Sequence, residues 1–230
     1  MASGNRSDGQ HGPATTTSTR CPSPVCERAH LATPATDLET HVTDLLNLLH
    51  YEDLHDVVLV GHSYAGAVVT TSAADRVPER IARLVFVDTG PLPDGMAQAD
   101  FAGPQERARN EDLVERFGDG WRLPPPPWKE LAAAVPDLLP DTVRALAERS
   151  VPQPWATATS PVRLTGAWEK LPRLGILSGF TEQQARGMST AVPAFQYMND
   201  PQWTYRELPT WHWPMLSRPA DLADLLCEDT

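Results

Sequence analysis

Three residues whose types suit nucleophilic acyl transfer occur along this 230-residue chain in the order Ser63, Asp88, His212. A serine hydroxyl attacks a carbonyl carbon when a base takes its proton. A carboxylate then holds that base in the right tautomer and stabilises it once it is charged. The three residues are therefore a candidate catalytic triad, with Ser63 as nucleophile, His212 as base and Asp88 as the orienting acid.

The stretch from Asp56 to Val69, DVVLVGHSYAGAVV, predicts a local structure that exposes a nucleophilic serine. A β-branched apolar run leads into a turn of small residues with Ser63 at its tip, and a helical pattern follows. Backbone N–H groups and the dipole at the start of that helix favour a developing oxyanion. The turn has Ala65 where glycine is usual, and the competing interpretation is an ordinary buried strand that ends in a serine turn.

Two carboxylates are candidates for the acid. Asp88 directly follows Leu84 to Val87, which is predicted to be a second buried parallel strand. Glu182 lies several residues beyond the next predicted strand, Leu171 to Ser178. Asp88 is better placed because it comes at the strand end itself, although a carboxylate there also suits a helix or loop cap.

His212 lies in a loop between a short predicted strand, Trp203 to Leu208, and a closing helix, Pro219 to Cys227. That position returns it to the carboxyl edge of the sheet, where the serine is expected. Trp211 and Trp213 flank it, so packing is its alternative role.

The other elements supply a sheet and its cover. Thr36 to His50 is predicted to be an amphipathic helix that packs on the sheet, with Thr36 and Glu39 as a capping box. Its apolar face comprises Leu38, Val42, Leu45, Leu46 and Leu49. The histidines on this helix and in its flanks are interpreted as surface residues rather than ligands: His30, His41, His50 and His55.

A proline-rich insertion at about 91–161 interrupts the sheet pattern and resembles a cap over an active site. Short helices are predicted around Gln105 to Phe117, Trp128 to Val135 and Asp141 to Arg149. Its tryptophans either line an apolar pocket or form the core of the cap: Trp121, Trp128 and Trp155.

Charge, cysteine count and hydropathy limit the classes of partner and the cellular location that we expect. A formal net charge of −11 with no basic track argues against nucleic-acid binding. The cysteines Cys21, Cys26 and Cys227 are odd in number, which favours a reducing compartment. No apolar run approaches the ~20 residues that span a bilayer, and no metal-ligand cluster or phosphate-cradling loop is present. We expect a soluble, cytoplasmic α/β protein with a small-molecule partner and neither cofactor nor metal.

With these motifs, the chain resembles the α/β-hydrolase family, and most of all a bacterial branch similar to plant methylesterases and hydroxynitrile lyases. The resemblance rests on Glu27 to Leu31, Tyr51 to Val87 and Glu207 to Leu226. It implies an α/β-hydrolase fold with a mostly parallel sheet and a small helical cap. It also implies hydrolysis of an ester or related carbonyl compound without a cofactor.

The chain departs from this family before residue 27. Members begin with an apolar strand ending in His-Gly, whose loop donates a second oxyanion N–H, whereas residues 1–26 are rich in Ser, Thr, Gly and Pro and are expected to be disordered. A hypothesis is that this segment is read out of frame, which leaves 27–230 as the hydrolase domain, truncated at its N-terminal side. The backbone N–H of Tyr64 would then be the remaining oxyanion donor, and losing one donor typically costs about 100- to 1,000-fold in rate. Val57 to Val60 would become an open apolar edge.

The leading functional prediction is a serine hydrolase that cleaves a small carboxylic ester through an acyl-enzyme on Ser63. One alternative is a catalytically impaired, truncated protein of this fold. Another is a lyase that uses Ser63 and His212 for proton transfer alone. The identity of the substrate and the oligomeric state stay open.

Overall fold

A computed structural model describes residues 32–133 and 139–228. The expectations for residues 1–26, both disorder and an altered reading frame, therefore lie outside the described residues, as does the stretch Glu27 to Leu31. Within the described part, no helix is both long and apolar enough to cross a membrane.

The described chain contains a series of helices and strands, and the longer strands are separated by helices. In order they are α1 (Leu38–Tyr51), β1 (Val57–His62), a π-helical segment (Ala65–Thr70) continued by α2 (Thr71–Arg76), β2 (Ile81–Val87), α3 (Pro104–Phe117), β3 (Arg122–Leu123), α4 (Trp128–Ala132), α5 (Pro140–Arg149), β4 (Gln153–Pro154), α6 (Trp155–Thr159), β5 (Arg173–Leu177), α7 (Glu182–Met188), β6 (Trp203–Glu207), α8 (Pro214–Ser217) and α9 (Pro219–Glu228). Short 3₁₀ helices cover Pro78–Arg80, Gln98–Asp100, Ala167–Lys170 and Pro193–Phe195.

The main sheet has the strand order β1-β2-β5-β6, and every neighbouring pair in it is parallel. The predicted α/β class with a mostly parallel sheet is thus confirmed. The carboxyl ends of the strands are level. His62 pairs with Val87 on the β1 side of the sheet, and Leu177 pairs with Glu207 on the β6 side. Consequently the residues that follow these strands gather at one edge of the sheet.

Each face of the sheet is covered by helices. The face that carries Leu59, Leu84 and Phe86 packs against α1 and the helix after β1 in the larger hydrophobic cluster. The opposite face packs against α9 through Leu222, and its buried residues are Val85, Val87, Leu174 and Ile176. Alternation of side chains along each strand separates the two clusters.

The cap of α1 differs from the prediction by one residue. Asp37 is the N-cap, and its carboxylate accepts the backbone N–H of Thr40 at 3.0 Å while the Thr40 hydroxyl accepts the N–H of Asp37 at 3.3 Å. The predicted capping pair of Thr36 and Glu39 is therefore wrong. Glu39 instead accepts two hydrogen bonds from the guanidinium of Arg76 on α2, an interaction that spacing along α1 did not reveal.

The segment at about 91–161 contains α3 to α6 and the antiparallel pair β3–β4. Its helices α3, α4 and α5 lie close to the three ranges predicted for it. A β-bridge between Ala97 and Pro161 joins the two ends of the segment, so it leaves and re-enters the main fold at nearly the same place.

Candidate active site

The turn after β1 has the predicted strand–turn–helix form. Ser63 follows the last residue of the strand and has φ 49°, in the left-handed region that non-glycine residues rarely occupy. The helix after it begins with the π-helical segment Ala65–Thr70, and π-helical turns often occur at functional sites. Tyr64 already has helical φ and ψ, so its backbone N–H belongs to the first turn of this helix.

Two glycines make the turn tight. A Cβ placed on Gly61 would come within 2.5 Å of the Cα of Gly66, and one placed on Gly66 would come within 2.5 Å of the Cγ2 of Thr89. Ala65, where the usual motif has glycine, is only half-buried. The position that requires glycine is therefore Gly66, which explains why alanine is accommodated before it.

The structure brings Ser63, His212 and Asp88 together. The Nε2 of His212 lies 2.9 Å from the Oγ of Ser63, and its Nδ1 lies 2.6 Å from the Oδ2 of Asp88. With the Nδ1–H of His212 donated to the carboxylate, Nε2 is left to accept the serine hydroxyl proton. The arrangement is a continuous hydrogen-bonded chain from a carboxylate to a serine hydroxyl.

Asp88 is buried and has positive φ, 49°, directly after β2. Its Oδ1 accepts backbone N–H groups from Ser178 at 2.8 Å and Gly179 at 2.6 Å. Burial by itself raises the pKa of Asp88, but the hydrogen bonds from His212, Gly179 and Ser178 outweigh burial and lower it. The carboxylate is thus kept ionised where it faces the imidazole.

Glu182, the other acid candidate, has different partners. It begins α7, and its Oε1 accepts a hydrogen bond from the Nε of Arg186 at 2.8 Å. Its backbone N–H donates to the carboxylate of Glu207 at 2.9 Å. Of the two candidates, the structure brings Asp88 to His212.

Tryptophans surround the loop that carries His212. The ring of Trp213 is T-shaped on the His212 ring at 4.7 Å between centroids. Trp128 from α4 packs on Trp213 at 5.1 Å and on Trp211 at 6.4 Å. Trp128 is also buried, and its Nε1–H donates to the Oγ of Ser150 at 2.7 Å. Of the three insertion tryptophans, Trp128 is therefore the one that links the insertion to the site.

His62, the last residue of β1, has no role that its sequence context predicts. Its Nε2–H donates to the backbone carbonyl of His212 at 2.6 Å, and the two rings lie 4.7 Å apart. Burial lowers the pKa of His62, partly offset by this hydrogen bond. The position of His62 inside the serine motif was the available signal, but its partner lies 150 residues away.

His41 is the second unexpected histidine. It was predicted at the surface, but it is 8% exposed and its Nδ1 lies 2.9 Å from the hydroxyl of Tyr64. Burial lowers the pKa of His41. Tyr64 is therefore held through its side chain to α1, which fixes the residue whose N–H was predicted to bind the oxyanion.

Comparison with known proteins identifies the family of the chain. The model of the alpha/beta hydrolase family matches residues 9–225. The chain belongs to this family. Its predicted resemblance to the family is thus confirmed.

Three relatives of this alpha/beta hydrolase are, by name, one esterase and two hydrolases. A carbendazim-hydrolysing esterase from Nocardioides sp. (strain SG-4G) is 31% identical over 212 residues, which is 88% of this chain and 83% of that protein. A solved structure of an extracellular α/β-hydrolase from a Paenibacillus species matches with a TM-score of 0.71 at 19% identity, and the match covers 85% of this chain and 81% of that one. That hydrolase is described as sharing structural and functional homology with tobacco salicylic acid binding protein 2. A pyrethroid hydrolase from Sphingobium faniae JZ-2 has TM-score 0.61 at 21% identity, covering 86% and 79%.

Proposed function

We propose that this protein is a serine hydrolase that cleaves a small carboxylic ester through an acyl-enzyme on Ser63. The observation that carries the proposal is the hydrogen-bonded chain Asp88–His212–Ser63, with separations of 2.6 and 2.9 Å. The relationship to a carbendazim-hydrolysing esterase at 31% identity supports ester chemistry.

In the first half of the reaction the Oγ of Ser63 attacks the ester carbonyl carbon while the Nε2 of His212 takes the hydroxyl proton. The resulting imidazolium is stabilised by Asp88, which stays ionised because it accepts several hydrogen bonds. His212 then gives the proton to the departing alkoxide oxygen as the carbon–oxygen bond breaks. The products are an alcohol and an acyl group covalently bound to Ser63.

In the second half His212 takes a proton from water, and the water oxygen attacks the acyl carbon. The proton returns through His212 to the Oγ of Ser63, which leaves as the hydroxyl while the acid is released. The backbone N–H of Tyr64, at the start of the helix after β1, donates to the oxyanion in both halves. The hydrogen bond between the Tyr64 hydroxyl and His41 supports this role because it holds Tyr64 in place.

We further propose that residues 91–161 act as a cap on a hydrolase domain that spans 27–230. The contact of Trp128 with the tryptophans beside His212 supports a cap, since it joins the insertion to the loop of the base. Small-molecule esters remain the predicted substrates, and a cytoplasmic location stays a prediction from the cysteine count.

The test is labelling of the purified protein with a fluorophosphonate probe, read by intact mass, alongside turnover of an aryl ester. Ser63→Ala should abolish both signals. Ser189→Ala is the matched control, because the hydroxyl of Ser189 bonds locally to the carbonyl of Arg186 and should leave both signals unchanged. Failure of the folded wild-type protein to label would refute the proposal, and trapping of an acyl-enzyme on Ser63 would count against a lyase.

A further inference from the structure

His62 contacts the base through its backbone carbonyl rather than through its catalytic nitrogen. Its Nε2–H donates to the carbonyl oxygen of His212 at 2.6 Å, while the next residue along the chain, Ser63, meets the Nε2 of His212 at 2.9 Å. The last residue of β1 and the residue after it therefore contact the backbone and the side chain of the same histidine.

The loop that carries His212 has little other backbone support. It runs from the end of β6 to the start of α8 without regular secondary structure. Among the described residues, the nearest backbone–backbone hydrogen bonds on either side are from Leu208 to Leu177 at 2.8 Å and from Leu216 to Trp213 at 2.9 Å. The bond from His62 falls between them, at the residue whose position matters for catalysis.

We propose that His62 is a positioning residue that fixes the His212 backbone to the nucleophile turn and so keeps Nε2 of His212 within hydrogen-bonding distance of Ser63. The inference rests on the proposed function. The role of His62 concerns geometry rather than proton transfer. Its Nε2–H donates to a carbonyl oxygen, and a carbonyl has no proton to exchange.

A neutral imidazole at His62 suits a position beside the catalytic base. The charged or titratable groups that act on His62 are His212 on the loop and Asp88 after β2. The His212 ring is 4.7 Å away, and it becomes an imidazolium during each half-reaction. A second positive charge there would oppose that step, so burial, which lowers the pKa of His62, favours turnover.

Three substitutions of His62 separate the effect of its hydrogen bond from the effect of its side-chain size. His62→Gln places an amide N–H near the position of Nε2, and His62→Asn carries the same amide one carbon shorter, short of the carbonyl. His62→Leu fills the space without a donor. His50→Leu is the control, since His50 is an exposed residue of α1 remote from the loop in sequence.

The rate of fluorophosphonate labelling is the main readout, because it depends on how well His212 activates Ser63. We expect His62→Leu and His62→Asn to label about 10- to 100-fold more slowly, the range expected when a catalytic group is displaced by up to ~1 Å. His62→Gln should restore most of the rate, and His50→Leu should match the wild type. With an aryl ester, the loss should fall on kcat rather than on KM.

A structural readout decides the inference even if no variant labels. The Nδ1–H proton of His212, held against Asp88, should give a low-field NMR resonance in the wild type and in His62→Gln that is lost or broadened in His62→Leu. Wild-type labelling rates in His62→Leu would overturn the inference while leaving the proposed function intact. So would a His62→Gln variant that is as slow as His62→Leu, or an unchanged His212 resonance in His62→Leu. Absence of labelling in the wild type, with the resonance changes as expected, would count against the proposed function alone.

Discussion

Ser63 and Asp88 share an unusual backbone, since both have φ 49°. Such left-handed conformations cost a non-glycine residue about 1–3 kcal/mol and persist where the surrounding structure holds them. Ser63 is held between β1 and the following helix, and Asp88 by the N–H groups of Ser178 and Gly179. Five described non-glycine residues have positive φ, and two of them present a hydroxyl and a carboxylate to His212; the others are Asp53, Asp56 and Asp119.

Exchanging the carboxylates for amides distinguishes the two acid candidates. We expect Asp88→Asn to lower kcat for an aryl ester by about 10,000-fold, because an amide opposite Nδ1 favours the wrong tautomer of His212. Glu182→Gln should stay within a few-fold of the wild type, since the Glu182 side chain bonds to Arg186. Steady-state kinetics of the two variants check this, and a larger loss in Glu182→Gln would reverse the assignment.

The pKa of Asp88 also makes a prediction about stability. Because the folded-state pKa lies below the ordinary value of 3.8, the ionised carboxylate stabilises the fold at pH values above 3.8. That stabilisation is lost as the pH falls through the lower folded value. The difference in unfolding free energy between the wild type and Asp88→Asn should therefore shrink as the pH is lowered from about 6 to about 3. Urea unfolding across this range measures it, and a constant difference would contradict the assignment.

At the scale of elements, the contact between β1 and the helix that follows it sets the position of the nucleophile. Gly61 in the strand and Gly66 in the π-helical segment approach so closely that neither has room for a Cβ. The hydroxyls of Thr70 and Thr71 both donate to the carbonyl of Gly66, at 3.2 and 3.0 Å. These bonds satisfy a carbonyl where the π-helical segment departs from regular α-helical bonding.

Substitutions at the neighbouring residues Ala65 and Gly66 should differ in their effect on stability and on the labelling rate of Ser63. Gly66→Ala forces a methyl group against Thr89 and the carbonyl of Gly61, and we expect it to cost about 1–3 kcal/mol of stability and to slow labelling of Ser63. Ala65→Gly, its matched control, relieves no clash and should cost about 0.5–1 kcal/mol through backbone entropy. Urea unfolding and labelling rates of both variants test the difference. Equal effects would contradict the crowding at Gly66.

At the scale of the whole molecule, β1 is the end strand of the described sheet. Val60 lies on the face that α9 covers farther along the sheet, yet it is 44% exposed. An apolar residue on an end strand favours association between molecules, whereas the net charge of −11 opposes it. The balance between these two effects should depend on Val60.

A charge placed at this strand should weaken any self-association. We expect Val60→Glu to lower the weight-average mass seen by sedimentation at high protein concentration. Tyr51→Glu is the control, because Tyr51 is 78% exposed at the end of α1 and the change in net charge is the same. An equal effect of both substitutions would show that net charge, rather than the sheet edge, governs association.

The sequence by itself determined the elements and the chemistry they offer. Hydrophobic periodicity and turn residues are local signals, so they predicted β1, β2, β5 and α9 and the turn at Ser63. The order of nucleophile, acid and base is also a property of the chain alone. For that reason the family, the parallel sheet and the three candidate residues all follow from the order of amino acids.

The tertiary structure decided which groups meet. Nothing local separates Asp88 from Glu182 fully, because proximity to His212 depends on the paths of β2 and of the loop after β6. Likewise, the bond of His62 to His212 joins residues 150 positions apart, and the burial of His41 depends on how α1 packs against the nucleophile helix. Hydrogen bonds and burial between distant segments are set by the packing of the whole chain, which patterns over short windows of sequence do not contain.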